Sequence, residues 1–87
     1  MRLSNVRDLG RYVRDRRRAV GLSQAGLATR ATVSRRWLSD LEAGKPTVEV
    51  GLVFKVIGAL GLYVDCLPEP EPELDLDAYL DSLGGAP

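Results

Sequence analysis

The sequence contains no histidine and a single cysteine, Cys66. Without histidine the commonest general base is missing, and a metal site loses one of its usual ligands. One cysteine cannot form an internal disulfide. No enzyme, metal or cofactor is therefore expected. No apolar run approaches the ~20 residues of a membrane span, and the opening "MRLSNVRDLG" lacks the apolar stretch of a secretory signal. These features lead to the expectation of a cytoplasmic protein without a membrane partner. Aromatic residues are scarce, with one Phe, one Trp and three Tyr in 87 residues, so the core should be aliphatic. That length suits one domain with a thin core.

The formal net charge of zero conceals two opposite halves. Residues 1–45 carry eleven Arg and Lys against Asp8, Asp15, Asp40 and Glu42, a net of +7. Residues 46–87 carry only Lys55 against eight acids, a net of −7. A basic body that meets a polyanion and an acidic end with another task would produce this split. Charges that merely solvate a small domain would produce it too.

Hydrophobic spacing predicts four helices. The first spans about Asn5 to Ala19, with Val6, Leu9, Val13 and Val20 as its buried stripe and Tyr12 beside it; Gly21 stops it. Ser23 is a plausible N-cap for a second helix, Gln24 to Ala31, with Leu27 and Ala28 inward. Ser34 caps a third, Arg35 to about Glu42, whose Leu38 and Leu41 face the core. After the Lys45-Pro46 loop, a fourth helix opens near Thr47 and runs to about Leu60. Its expected buried face is Val50, Val53, Phe54, Ile57 and Leu60, and Glu49 near its start suits the helix dipole.

Beyond Gly61 the period changes to two. Leu62, Val64 and Cys66 alternate with Tyr63, Asp65 and Leu67 until Pro68, which reads as a short strand. A lone strand in a helical domain lacks a partner, so a second copy is the natural one; an irregular segment packed on the helices is the other reading. "PEPEPE" is an extended linker. Leu76, Tyr79, Leu80 and Leu83 then recur at helical spacing among acids, a stretch too short to hold a helix alone. It is a disordered tail or a segment that folds on a partner. The expected organisation is a basic helical domain over residues 1–61, a dimerisation strand over 62–67, and an acidic linker and tail over 68–87.

The stretch "GLSQAGLATRATVSRRWLSDLEAGKP" resembles the helix-turn-helix of the Xre and lambdoid phage repressor family. The Gly-Leu-Ser-Gln entry, Leu27-Ala28, the Val33-Ser34 junction, Leu38 and the Leu-Glu-x-Gly-Lys exit carry the likeness, which covers about Leu9 to Leu62. "KPTVEVGLVFKVIGALGLYV", running into a terminal strand, is similar to HipB-type antitoxins. The resemblance implies an all-α helix-turn-helix domain of four to five helices with a short C-terminal β-strand that pairs in a dimer. It also implies that the domain over residues 1–61 binds DNA. Two positions depart from the pattern. Thr32 stands where a turn glycine is usual; a left-handed β-branched residue costs about 1–2 kcal/mol, which favours another turn geometry. Gly26 stands where a better helix former is usual and costs ~1 kcal/mol relative to alanine.

The resemblance also implies roles. The third helix would lie in the major groove of double-stranded DNA, with Ser34, Arg35, Arg36 and Ser39 towards the base edges. Arginine can fork to guanine O6 and N7, although either arginine could grip phosphate instead. Trp37 fits packing or a sugar contact better than base reading. Gln24 would reach a phosphate beside free helix-end amides, with Ser23 as cap, Lys45 from its loop, and Arg14 and Arg18 as further phosphate candidates. Arg17 and Glu42 would form a structural ion pair. The implied protein is a bacterial homodimeric repressor of a palindromic operator, nucleoid-associated when bound. As a HipB-like antitoxin it would also restrain a HipA-type kinase toxin. A free-standing Xre repressor, or an interaction scaffold with residual DNA affinity, are the alternatives.

Overall fold

A computed structural model describes residues 2–70, 80–81 and 83. Four helices follow one another: α1 (Val6–Ala19), α2 (Gln24–Ala31), α3 (Arg35–Glu42) and α4 (Val50–Ala59). Three of them start on a side-chain cap. Asn5 Oδ1 accepts from the Asp8 amide, Ser23 Oγ from the Gly26 amide and Ser34 Oγ from the Trp37 amide. Each satisfies a backbone donor that the first turn would otherwise leave free. Glu49, which precedes α4, makes no such bond.

All four helices end in the same motif. The amide of the left-handed residue returns to the carbonyl three before it, and the next amide to the carbonyl five before it. Gly21, Gly44 and Gly61 supply the positive φ after α1, α3 and α4. After α2 it is Thr32, at φ 58° and ψ 47°. Its amide donates to the Thr29 carbonyl at 3.2 Å and that of Val33 to the Ala28 carbonyl at 3.0 Å. The expectation of another turn geometry is thus wrong. The two hydrogen bonds and the burial around Val33, which packs on the core, hold a conformation that threonine alone disfavours.

The core is aliphatic, as expected. Val13 of α1 meets Leu27, Ala28 and Ala31 of α2, Leu38 and Leu41 of α3, and Val53, Val56, Ile57 and Leu60 at α4. α1 crosses α3 so closely at Gly10 that a Cβ there would fall on the Leu41 carbonyl oxygen. Two expectations about buried faces fail. Val20 is exposed because it already lies past the last turn of α1. On α4, Val50 and Phe54 are 68% and 56% exposed, while Val56 is fully buried. α4 opens at Val50 rather than near Thr47 and turns the stripe 53, 56, 57, 60 inward. The helix is apolar nearly all round, so its composition does not define which side faces in.

Among the described residues there is no strand. Leu62 serves partly as the end of α4, since its amide donates to the Ile57 carbonyl at 3.1 Å. Residues 63–70 make no backbone–backbone hydrogen bond among the described residues. Leu80, Asp81 and Leu83 have helical backbone, and both leucines are exposed. Leu76 and Tyr79 lie outside the described residues.

Candidate nucleic-acid interface

The surface that matters is built by α2, the turn at Thr32, and α3. Leu27, Ala28 and Ala31 on α2 and Leu38 and Leu41 on α3 are all buried in the shared core; the two small alanines let α3 sit near α2. Fixing the Leu38 and Leu41 stripe inward dictates what faces out. At helical spacing, Arg35, Arg36 and Ser39 fall on the opposite arc, and all three are exposed. Asp40 lies on the edge of that arc, half-buried. Ser34 is exposed but its hydroxyl already caps α3 through the Trp37 amide at 3.0 Å. Trp37 is half-buried against the core, which agrees with packing as its main task.

Arg17 and Glu42 form the expected ion pair, and it is a forked one. Arg17 Nε donates to Glu42 Oε2 at 2.8 Å and a terminal guanidinium nitrogen to Oε1 at 2.9 Å. The other terminal nitrogen donates to the Leu22 carbonyl at 2.8 Å. The two side chains are only 9% and 3% exposed. Hydrogen bonding to Glu42, against the opposing effect of burial, raises the Arg17 pKa above its already high ordinary value. The guanidinium, charged in proteins as a rule, is thus held in its charged form by the pair. The pair ties α1, the turn after it, and the end of α3 together.

Gln24 is not free, as its expected role would suggest. Its Nε2 donates to Glu42 Oε1 at 3.3 Å. The amides of the first α2 residues beside it have no acceptor within the helix, other than the Gly26 amide held by Ser23 at 2.9 Å. Arg14, Arg18, Gln24 and Ser39 border one shallow cleft around the buried pair, together with Ala43. The structure thus brings the two α1 arginines beside Gln24 and a residue of the α3 arc. The two arginines share one basic rim, although arginines on an exposed helix face are more often plain solvated surface.

Lys45 lies in its loop but is engaged, with Nζ 3.1 Å from Asp40 Oδ1. Asp40 was missed by the sequence reading. Its five-residue separation from Lys45 falls outside the three-four spacing that flags helical ion pairs. Among the described residues no group of acids, cysteines or histidines could hold a metal ion, and no described helix is long and apolar enough to cross a membrane. Chemically the arrangement offers forked donors on an exposed helix, flanked by further guanidinium groups, which suits phosphates and the acceptor edges of bases.

Comparison with known proteins agrees with this geometry. Residues 8–65 match the family model of a helix-turn-helix domain. The HTH-type transcriptional regulator y4mF of Sinorhizobium fredii is 41% identical over 70 residues, which are 80% of this chain and 92% of that protein. The fold is similar to that of HipB in complexes with O2 and O4 20mers. Each has a TM-score of 0.75, at 18% and 17% identity, and covers 80% of this chain and 97% and 99% of the HipB chains. A structure of MDT protein is equally similar, with a TM-score of 0.75 at 17% identity, covering 80% of this chain and 99% of that one.

Proposed function

Since this chain belongs to the helix-turn-helix transcriptional regulators, we propose that it is a dimeric repressor of a palindromic operator and the antitoxin of a HipBA-type pair. In that role it silences the promoter of both genes and restrains a HipA-type kinase toxin. The observation that carries the DNA reading is the exposed arc of Arg35, Arg36 and Ser39 beside the cleft rimmed by Arg14, Arg18 and Gln24. With α3 in the major groove, Arg35 and Arg36 fork to guanine edges and Ser39 bonds a base or sugar. Gln24, Ser23 and the α2 amides, with Arg14, Arg18 and Lys45, hold phosphates and set register rather than sequence.

Two-fold pairing of the 62–67 segment supplies the second reader. The backbone groups of residues 63–67, which have no backbone partner among the described residues, and the exposed Tyr63, Val64 and Leu67 support this, because a free edge with apolar side chains seeks another strand. Leu62, Val64 and Cys66 form one face of that strand. The acidic tail with Leu76, Tyr79, Leu80 and Leu83 serves as a handle for the toxin. An acidic stretch repels DNA, and a purely solubilising tail needs no leucines.

Purification with the product of the neighbouring gene, followed by a footprint on the shared promoter, tests both halves. A kinase-like partner that co-purifies and a symmetric footprint support the proposal. A footprint without any such partner leaves a free-standing repressor, and a partner without sequence-selective protection leaves an interaction scaffold.

A further inference from the structure

We infer that Glu42 is a positioning residue for DNA binding: through Gln24 it locks the phosphate-gripping end of α2 to the reading face of α3. The inference rests on the assignment of Gln24 to a phosphate made above.

Glu42 ends the helical stripe that Arg35 and Ser39 begin, at separations of seven and three residues. Gln24 is the first residue of α2. The 3.3 Å bond between them therefore joins the start of one helix to the reading stripe of the other. Any rotation or slide of α3 against α2 must break that bond or drag Gln24 along.

The fold itself does not need the contact. Arg17 already donates to both oxygens of Glu42, at 2.8 and 2.9 Å, so the carboxylate is satisfied without Gln24. What Gln24 gains is orientation. An ionised carboxylate only accepts, so it admits the NH2 end of the amide and rejects the carbonyl end. The second hydrogen of the same nitrogen is then left for a phosphate oxygen. With its side chain 3% exposed, Glu42 holds this arrangement where water competes little. Arg17 neutralises the carboxylate, which would otherwise repel the phosphate it helps to place.

A double-mutant cycle with Gln24→Met and Glu42→Gln tests this. The probes are a duplex selected by the wild-type protein from a random pool and a scrambled duplex of equal length, both at a temperature where circular dichroism shows every variant folded. Each single variant is expected to lose about tenfold in affinity for the selected duplex, and the double variant about tenfold rather than a hundredfold, because contacting residues are not additive. Glu42→Gln should also lower the preference for the selected over the scrambled duplex, which a merely structural role would not move in folded protein. In urea unfolding, by contrast, the cost of Glu42→Gln should be the same whether or not Gln24 is also replaced. Losses that multiply to about a hundredfold, or an unchanged preference in Glu42→Gln, overturn the coupling. A Gln24→Met protein that binds like wild type overturns the phosphate assignment beneath it, which is a distinct failure.

Discussion

Replacing Thr32 by glycine should stabilise the domain although it removes side-chain atoms. Thr32 is the one described non-glycine residue with positive φ, at 58°, and it fills the place that glycine holds after the other three helices. A left-handed L-residue costs about 1–2 kcal/mol, most for a β-branched one. Glycine removes that strain but makes the unfolded chain freer by about 0.4–1 kcal/mol. The difference leaves a net gain of about 0.5–1 kcal/mol, or a rise in Tm of roughly 2–8 °C for a domain of this size. Both backbone bonds of the turn, from the Thr32 and Val33 amides, are kept in the variant, and the Thr32 side chain is exposed, so little packing is lost. Urea unfolding gives the sharpest measurement, since a shifted midpoint at constant slope isolates stability from changes in exposed surface. Thr32→Asn should gain less and Thr32→Ala least, because asparagine tolerates the left-handed region better than alanine. A glycine variant no more stable than wild type, or an alanine variant as stable as the glycine one, would refute the reasoning. Either result would place the worth of Thr32 in something other than its backbone.

Gly10→Ala should cost about 1–3 kcal/mol by forcing α1 off the carbonyls of Leu41 and Glu42. Gly58→Ala, where an added Cβ meets nothing within 4 Å, should stabilise by up to ~1 kcal/mol; thermal melts of the two separate close approach from helix propensity. Arg35→Ala and Arg36→Ala should each lose operator preference, whereas Arg18→Ala should weaken binding to every duplex about equally, as read by titration of matched and mismatched DNA. Val64→Pro should leave the four helices folded but yield a largely monomeric protein with poor operator affinity, because proline removes a ladder donor and one reader binds far more weakly than two; a stable mutant dimer in sedimentation counts against the strand. Deleting residues 72–87 should leave operator binding intact or slightly stronger at low salt while weakening capture of the toxin, and equal toxin affinity with and without the tail would make it a spacer.

What could be read from the sequence was what acts over a few residues. Ser23, Ser34, Gly21 and Gly44 each set a helix end through a bond to a neighbour, so α2 and α3 were placed correctly from local chemistry. Leu38 and Leu41, spaced between polar residues, fixed which arc of α3 faces out and hence the candidate readers. Where composition gave no contrast the reading failed: α4 is apolar nearly all round, and Val50 and Phe54 were assigned to the buried face while Val56 was left out of it. Thr32 failed for a different reason. Its propensity argued against the left-handed turn, but two backbone bonds and the packing of Val33 outweighed it, as tertiary context often does. The bond from Gln24 to Glu42 could not be seen at all, because residues 18 apart in the chain meet only once three helices are packed.

The same packing changes what the basic half of the chain means. A net of +7 over residues 1–45 suggests many free cations, yet the fold pairs three of them, Arg2 with Glu69 at the surface and two more with acids of α3. Arg17 is enclosed with Glu42, and Lys45 is paired with Asp40. Both acids belong to α3, the helix assigned to the groove, where an unpaired carboxylate would repel the duplex. Each is thus matched by a cation from outside that helix, and the helix presents Arg35 and Arg36 against a locally neutral background. Ion pairs of this kind cost desolvation and stabilise modestly at best. On the proposed reading their value lies in cancelling charge where DNA approaches, beside the exposed Arg14, Arg18, Arg35 and Arg36.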